Sequence, residues 1–310
     1  MAAEATAVTP ALGTGGADDG LGAGRGRVLR RLLHDPKGVA GLVLLALVVL
    51  AALLAPLLAP YPPTQVHFET PFQRPLTVGF PLGTDDLGRD VLSRILFGLR
   101  ASLQVGALAV GLAVVVGVPL GLVAGWWRGV DVVVSRLTDL LLAFPFLIIA
   151  VGLAAIGGAS LGNAAIALGV AAIPTMVRVV RAETLRTRGK PFVDAARAMD
   201  ASGPRILVQH VLPNAASAII VQATIIMPTT VIGEALLSFL GLGIQPPTPS
   251  LGIMLSDAQQ YLLRSPSAAV LPGIAIAVIC LGFNLFGDAL RDALDPMTVT
   301  ARRRRGKAAR

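Results

Sequence analysis

Residues 181–214, RAETLRTRGKPFVDAARAMDASGPRILVQHVLPN, decide how this chain is read. They form a charged stretch between two long apolar ones. Within it Phe192, Ala195, Ala196 and Met199 recur at i, i+3, i+4 and i+7, one face of a helix. Pro191 suits the first helical position. Asp200-Ala201-Ser202-Gly203 breaks that helix, and Pro204 can open a second one ending before Pro213. A helix of about eight residues does not hold itself together in water. Its apolar face therefore requires a partner, and the segment reads as a docking device for a soluble protein.

Outward from this segment the chain has a membrane composition. Hydrophobic residues make up 54% and charged ones 14%, with a mean hydropathy of +0.74, beyond what a soluble core requires. A bilayer span takes about 20 apolar residues. Residues 38–59, 101–127 and 266–287 carry no charge. Residues 137–177 carry only Asp139, and the turn Gly157-Gly158-Ala159-Ser160-Leu161-Gly162 divides them into two spans. Residues 211–256 carry only Glu234, and Gln245-Pro246-Pro247-Thr248-Pro249 ends that span. The expectation is an all-α polytopic membrane protein with six transmembrane helices. Gly152, Gly157, Gly162 and Gly169 should let the third and fourth spans approach closely.

The net charge of +8 follows the same topology. With the N-terminus inside, 21 of the 26 Lys and Arg fall on inner segments, so both termini are expected to be cytoplasmic. The exceptions are Arg74, Arg89, Arg94, Arg100 and Arg264. Residues 38–59 exceed the roughly 7–15 apolar residues of a signal peptide and read as a retained first helix. Cys280 stands alone, which excludes an internal disulfide.

Four regions follow: a disordered cytoplasmic tail over 1–27, a first transmembrane helix and outer loop over 28–100, a core over 101–297 containing the cytoplasmic loop 182–213, and a basic tail over 298–310. Arg302-Arg303-Arg304-Arg305 in that tail reads as a solvated anchor for anionic lipid. In the outer loop, Leu82–Arg100 reads as an amphipathic helix capped by Asp85 or Asp86. Val91, Leu92, Ile95 and Leu96 share its face, and Asp90 can pair with Arg94 at i, i+4. Such a helix would lie on the bilayer or meet an external partner.

The sequence has no G-x-x-x-x-G-K-[ST] phosphate loop and no H-E-x-x-H, and His34, His67 and His210 are scattered. This argues against ATP binding of that kind, a catalytic metal site and an intramembrane enzyme. An ion-coupled carrier needs ionisable or oxygen-rich groups within its spans. Asp139, close to Arg136, reads as a capping or ion-pair residue. If the fifth helix begins at Asn214, Glu234 lies about 30 Å along it, near the outer face, where water or a partner would solvate it. Glu234, Gln222 and Thr229 are the candidate gate or pathway residues, with Pro228 and Gly233 as kink points.

The docking segment resembles the EAA loop of ABC-importer permeases: E-A-A, three residues, Gly, then about a dozen residues to L-P. Here it reads Asp194-Ala195-Ala196, Asp200, Leu212-Pro213. Gly83-Thr84-Asp85 with Gly88-Arg89-Asp90, the run Glu234–Gly243 before Gln245-Pro246-Pro247, and Gly287–Pro296 are similar to the dipeptide/oligopeptide/nickel permease group, C-type subunit. The resemblance implies a type I ABC importer transmembrane domain for di- or oligopeptides, with nickel or another small ligand as the alternative. It implies no cofactor and no chemistry in this chain. The implied partners are a second homologous permease, two cytoplasmic ATPase subunits and an extracellular substrate-binding protein. Phe192, Asp194, Ala195, Ala196, Met199, Asp200, Leu212 and Pro213 would then be the ATPase-coupling residues. A self-sufficient secondary carrier is the alternative outside the family. Asp194 and Asp200 depart from the family's Glu and Gly; at 200 a left-handed conformation would cost Asp more than Gly.

Overall fold

Prolines and short polar caps set the helix boundaries in this chain. In the computed structural model, which describes residues 30 and 32–294, α1 (Pro36–Leu53) opens with the Lys37 amide donating to the Asp35 carboxylate. Pro56 follows closely, and the chain re-enters a single turn, α2 (Ala55–Leu58). α3 (Val91–Trp126) runs for 36 residues from an Asp90 cap. α4 (Arg128–Ala143) and α5 (Phe146–Gly157) meet at 92° across Phe144-Pro145. α6 (Leu161–Arg188) begins at a Ser160 cap. Then come α7 (Pro191–Ala198), α8 (Gly203–Ile206), a π turn over Leu207–Val211, and α9 (Leu212–Phe239). α10 (Leu251–Gln259) and α11 (Ser267–Leu294) complete the described chain. Among the described residues, five helical segments are long and apolar enough to cross a bilayer, and the bent α4–α5 pair taken as one broken span makes six. The expectations for the tails 1–27 and 298–310, including Arg302–Arg305, lie outside the described residues.

α3 lies along α6 at very short range. A Cβ on Gly117, Gly121 or Gly125 would sit 2.8, 2.7 and 2.5 Å from the Cβ of Met176, Val180 and Thr184. Three glycines four apart thus form a groove into which α6 settles, the close approach that small residues permit in membranes. The close packing was expected between spans three and four instead. Gly152 and Gly162 face open space, and Gly169 seats against Ala109 and Leu112 of α3. Ala150 and Ala154 of α5 still share a core with Ala164 and Leu168 of α6.

Three further expectations are corrected. Leu82–Arg100 is not a separate interfacial helix. The Asp85 carboxylate accepts the amides of Leu87 and Arg89 and closes a turn, so the helix starts only at Val91 and continues into the second span. Its face Val91, Ile95 and Leu96 is buried in protein, not in lipid. The Asp90–Arg94 pair does not form either. Asp90 accepts the Ser93 amide at 2.8 Å and its hydroxyl at 2.6 Å, whereas Arg94 pairs with Asp85 and, at 3.5 Å, with Asp257. The second helix of the docking segment also fails to end before Pro213. Proline cannot donate to an i−4 carbonyl and its ring crowds that carbonyl. The π turn absorbs the conflict, with the Leu212 amide donating to Leu207 one residue further back than usual, so the helix runs on into α9.

Candidate coupling site and the buried carboxylate of α9

α7 shows one face to its own protein and another to the exterior. Val193 and Ala196 are buried, in a core with Leu122 of α3, Val180 of α6, Ile206 of α8 and Val211. Phe192, Ala195 and Met199 are exposed, Met199 at 77%. The face expected over Phe192, Ala195, Ala196 and Met199 is therefore divided: Ala196 fastens the helix, and the other three project from it. Packing decides which residues turn inward, because α7 is seated by a Val–Ala pair at i, i+3 between α3 and α6.

Asp194 is exposed and accepts from Arg197 at 3.1 Å. Asp200 sits at φ 56°, in the left-handed region where the family pattern has Gly. Around it the Ala201 amide reaches back to the Ala196 carbonyl at 3.1 Å, closing the helix end. The geometry of that turn is thus kept at some backbone cost. Leu212 and Pro213 lie in the first turn of α9, Pro213 exposed. The base of α7 is tied to α3, since Arg188 donates to the Trp126 carbonyl at 2.9 Å and the Arg197 guanidinium lies 5.0 Å from the Trp126 ring centre.

Glu234 does not meet water. It is fully buried, and its carboxylate accepts hydroxyl bonds from Ser102 of α3 at 2.6 Å and from Ser238 and Ser250 at 2.8 Å each. Ser238 and Ser250 in turn accept the amides of Ile244 and Gly252. Glu234 thus joins α3, the end of α9 and the return loop leading to α10. Solvation near the outer end was expected; three hydroxyls of the protein supply it instead. Nothing in the spacing of Ser102 from Glu234 marked that contact, because 132 residues separate them. Gln222 is half-buried and Thr229 exposed, seven residues apart on one face of α9, so Glu234 does not converge with them. Asp139 pairs with Arg178 of α6 at 3.0 Å, as its expected ion-pair role required.

At the far end of α3, Arg89 bridges Asp85 at 2.6 Å and Asp86 at 3.3 Å, and reaches Asp257 of α10 at 3.5 Å. Burial pushes the Asp257 carboxyl above the ordinary carboxylate range, opposed by the charges of Arg94 and Arg89. Among the described residues no group of three His, Cys, Asp or Glu is arranged to hold a metal ion.

These features define a polytopic, helical membrane protein with a short hairpin that presents exposed apolar side chains. Residues 117–299 match the family described as binding-protein-dependent transport system inner membrane component. Residues 25–75 match the N-terminal TM domain of oligopeptide transport permease C. The chain belongs to the binding-protein-dependent transport permeases, the multi-pass membrane components of ABC importers. It is 41% identical over 268 residues to the dipeptide transport system permease protein DppC of Alkalihalophilus pseudofirmus, covering 86% of this chain and 88% of that protein. It is 40% identical to the di/tripeptide transport system permease protein DppC of Pseudomonas aeruginosa, covering 85% and 89%. Identity to the glutathione transport system permease protein GsiD of Escherichia coli is 38%, covering 86% and 88%. A solved chain of the MetNI methionine ABC transporter has the same fold, with a TM-score of 0.53 at 21% identity over 65% of this chain and 96% of that one.

Proposed function

We propose that this chain is a permease subunit of a peptide importer and that loop 182–213 transmits the work of a cytoplasmic ATPase to the membrane helices. Peptide is the substrate class because relatives at 38–41% identity are named for dipeptides, di/tripeptides and glutathione. The observation that carries the coupling role is the two-sidedness of α7: Val193 and Ala196 anchor it to α3 and α6, while Phe192 and Met199 project outward. A partner gripping Phe192 and Met199 would move α7, and the buried pair would pass that motion to both spans. Asp194 and Asp200 belong to the same surface, with Leu212 and Pro213 where the loop becomes α9.

In this reading both termini and the loop are cytoplasmic. A second, homologous permease completes the pore, two ATPase subunits hydrolyse ATP, and an external protein delivers substrate. Closure of the ATPases favours one of two permease conformations by binding it better. Glu234 serves as a fastening of the outer gate, and Gln222 and Thr229 face the pathway.

Phe192→Asp tests the coupling role. Membrane insertion should be unchanged while ATPase copurification and ATP-dependent peptide uptake in vesicles are lost. Normal uptake by that variant, or uptake by the permease alone driven by an ion gradient, would overturn the reading.

A further inference from the structure

α10 is held differently at its two ends. At its start the Ser250 hydroxyl donates to the Glu234 carboxylate at 2.8 Å and accepts the Gly252 amide at 3.1 Å. A Cβ on Gly252 would sit 2.1 Å from the Ala235 carbonyl oxygen, and one on Gly98 of α3 would sit 3.0 Å from the Leu251 side chain. That end cannot move without breaking close contacts and a buried hydroxyl set. Towards its other end, Asp257 borders a cavity of about 20 Å³ at the start of α3. Its carboxylate is 39% exposed and lies 3.5 Å from both Arg89 and Arg94. Phe72 and Tyr261, with ring centres 5.0 Å apart, line the same cavity, and Arg264 lies 4.3 Å over the Phe72 ring.

Charge decides how firmly this second end is held. Arg89 is closer to Asp85, at 2.6 Å, and to Asp86, at 3.3 Å, and Arg94 is paired with Asp85. Three carboxylates thus share two guanidinium groups, and Asp257 has the longest contacts of the three. The turn after α10 adds Tyr261 and Arg264, the latter committed to the Phe72 ring, and α11 presents the uncharged Ala268. Ion pairs this long do not repay the lost hydration of a carboxylate. Burial, helped by the charge of Asp86, pushes the Asp257 carboxyl above the ordinary range against the attraction of Arg94 and Arg89. A proton on Asp257 strands neither arginine, because Asp85 and Asp86 keep both. We propose that Asp257 is a proton-operated clamp: protonated, it seats the end of α10 on the start of α3, and ionised, it lets that end swing outward about the fixed Ser250–Glu234 contact. The seated carboxyl binds its proton more tightly than a hydrated one. Seating is therefore strongest below the ordinary aspartate range and is lost as pH rises through the raised value. The clamp stands on this geometry alone; its use as a pH control of the outer gate rests on the function proposed above.

The test is hydrogen exchange over residues 254–262, in the full chain purified from membranes with the subunits that accompany it. Protection is compared at about pH 5 and about pH 8, on either side of a raised carboxyl, after correction for intrinsic exchange rates. Wild type should be better protected at the lower pH, by about tenfold for each unit of pKa that separates the seated from the freed carboxyl. Asp257→Asn, which stays neutral, should keep the high protection at both. Asp86→Asn removes the neighbouring like charge and should move the transition to lower pH, a shift that a merely structural aspartate would not produce. Equal wild-type protection at the two pH values overturns the clamp. So does lower protection of Asp257→Asn than of wild type at about pH 8, which would make the ionised pair an ordinary tie. Exchange that behaves as expected, with the same pH profile of peptide uptake in wild type and Asp257→Asn, would uphold the clamp and refute its control of the gate.

Discussion

Glu234 shows what one buried side chain can require. Its carboxyl group has no cation beside it and relies on three hydroxyls from three parts of the chain. Removing one partner of a buried polar set leaves the others unsatisfied, which costs more than the bond itself. Glu234→Ala should therefore destabilise the protein by about 2–4 kcal/mol and Ser102→Ala by about 1 kcal/mol, read as thermal unfolding in detergent. An unchanged melting temperature in Glu234→Ala would show that the serines do not depend on it. Asp200 carries a different constraint, since its left-handed backbone excludes branched side chains. Asp200→Val should cost about 1–2 kcal/mol, with faster hydrogen exchange at the Ala201 amide, whereas Asp200→Gly should keep that amide protected.

Among the elements, the contact between α3 and α6 is the most sensitive to added volume. Gly121→Val would drive a side chain into Val180 and the Val177 carbonyl, and overpacking of this kind costs about 1–3 kcal/mol. Gly111, on the same helix, has no neighbouring atom within 4 Å of the place a methyl group would occupy. Gly111→Ala should therefore be neutral or gain up to about 1 kcal/mol. Comparing the two variants by thermal unfolding separates a packing requirement from a general intolerance of α3. The repeat Gly117, Gly121, Gly125 was open to inspection in the sequence as small residues four apart. Its partner was not, because spacing within one helix does not say which neighbour it will meet. The same holds for α7, where periodicity located the helix but four apolar residues on one stripe could not show which would turn inward.

For the whole molecule, the decisive quantity is the side of the membrane on which α7 lies and what covers it there. Met199 is well exposed, and Cys280 is the chain's single cysteine. In a Cys280→Ser background, Met199→Cys should react with a membrane-impermeant maleimide in inside-out vesicles and not in intact cells. Coexpressed ATPase subunits should then protect it. Labelling from outside the cell would refute the cytoplasmic assignment, and labelling undiminished by the ATPase would refute docking through this face.

Composition and charge alone determined the broad architecture: apolar stretches of bilayer length must become helices, because backbone polar groups find no other partners in lipid. The spacing from Asp194 to Pro213, with the flanking family segments, was likewise sufficient to indicate a permease. Only tertiary structure decided that Leu82–Arg100 divides into a turn and the start of a long span, that α6 settles into the glycine groove of α3, and that Glu234 is enclosed by distant serines. Those outcomes depend on which surfaces meet. Local sequence fixes the period and ends of a helix, whereas contacts between residues far apart in the chain exist only after the helices have packed.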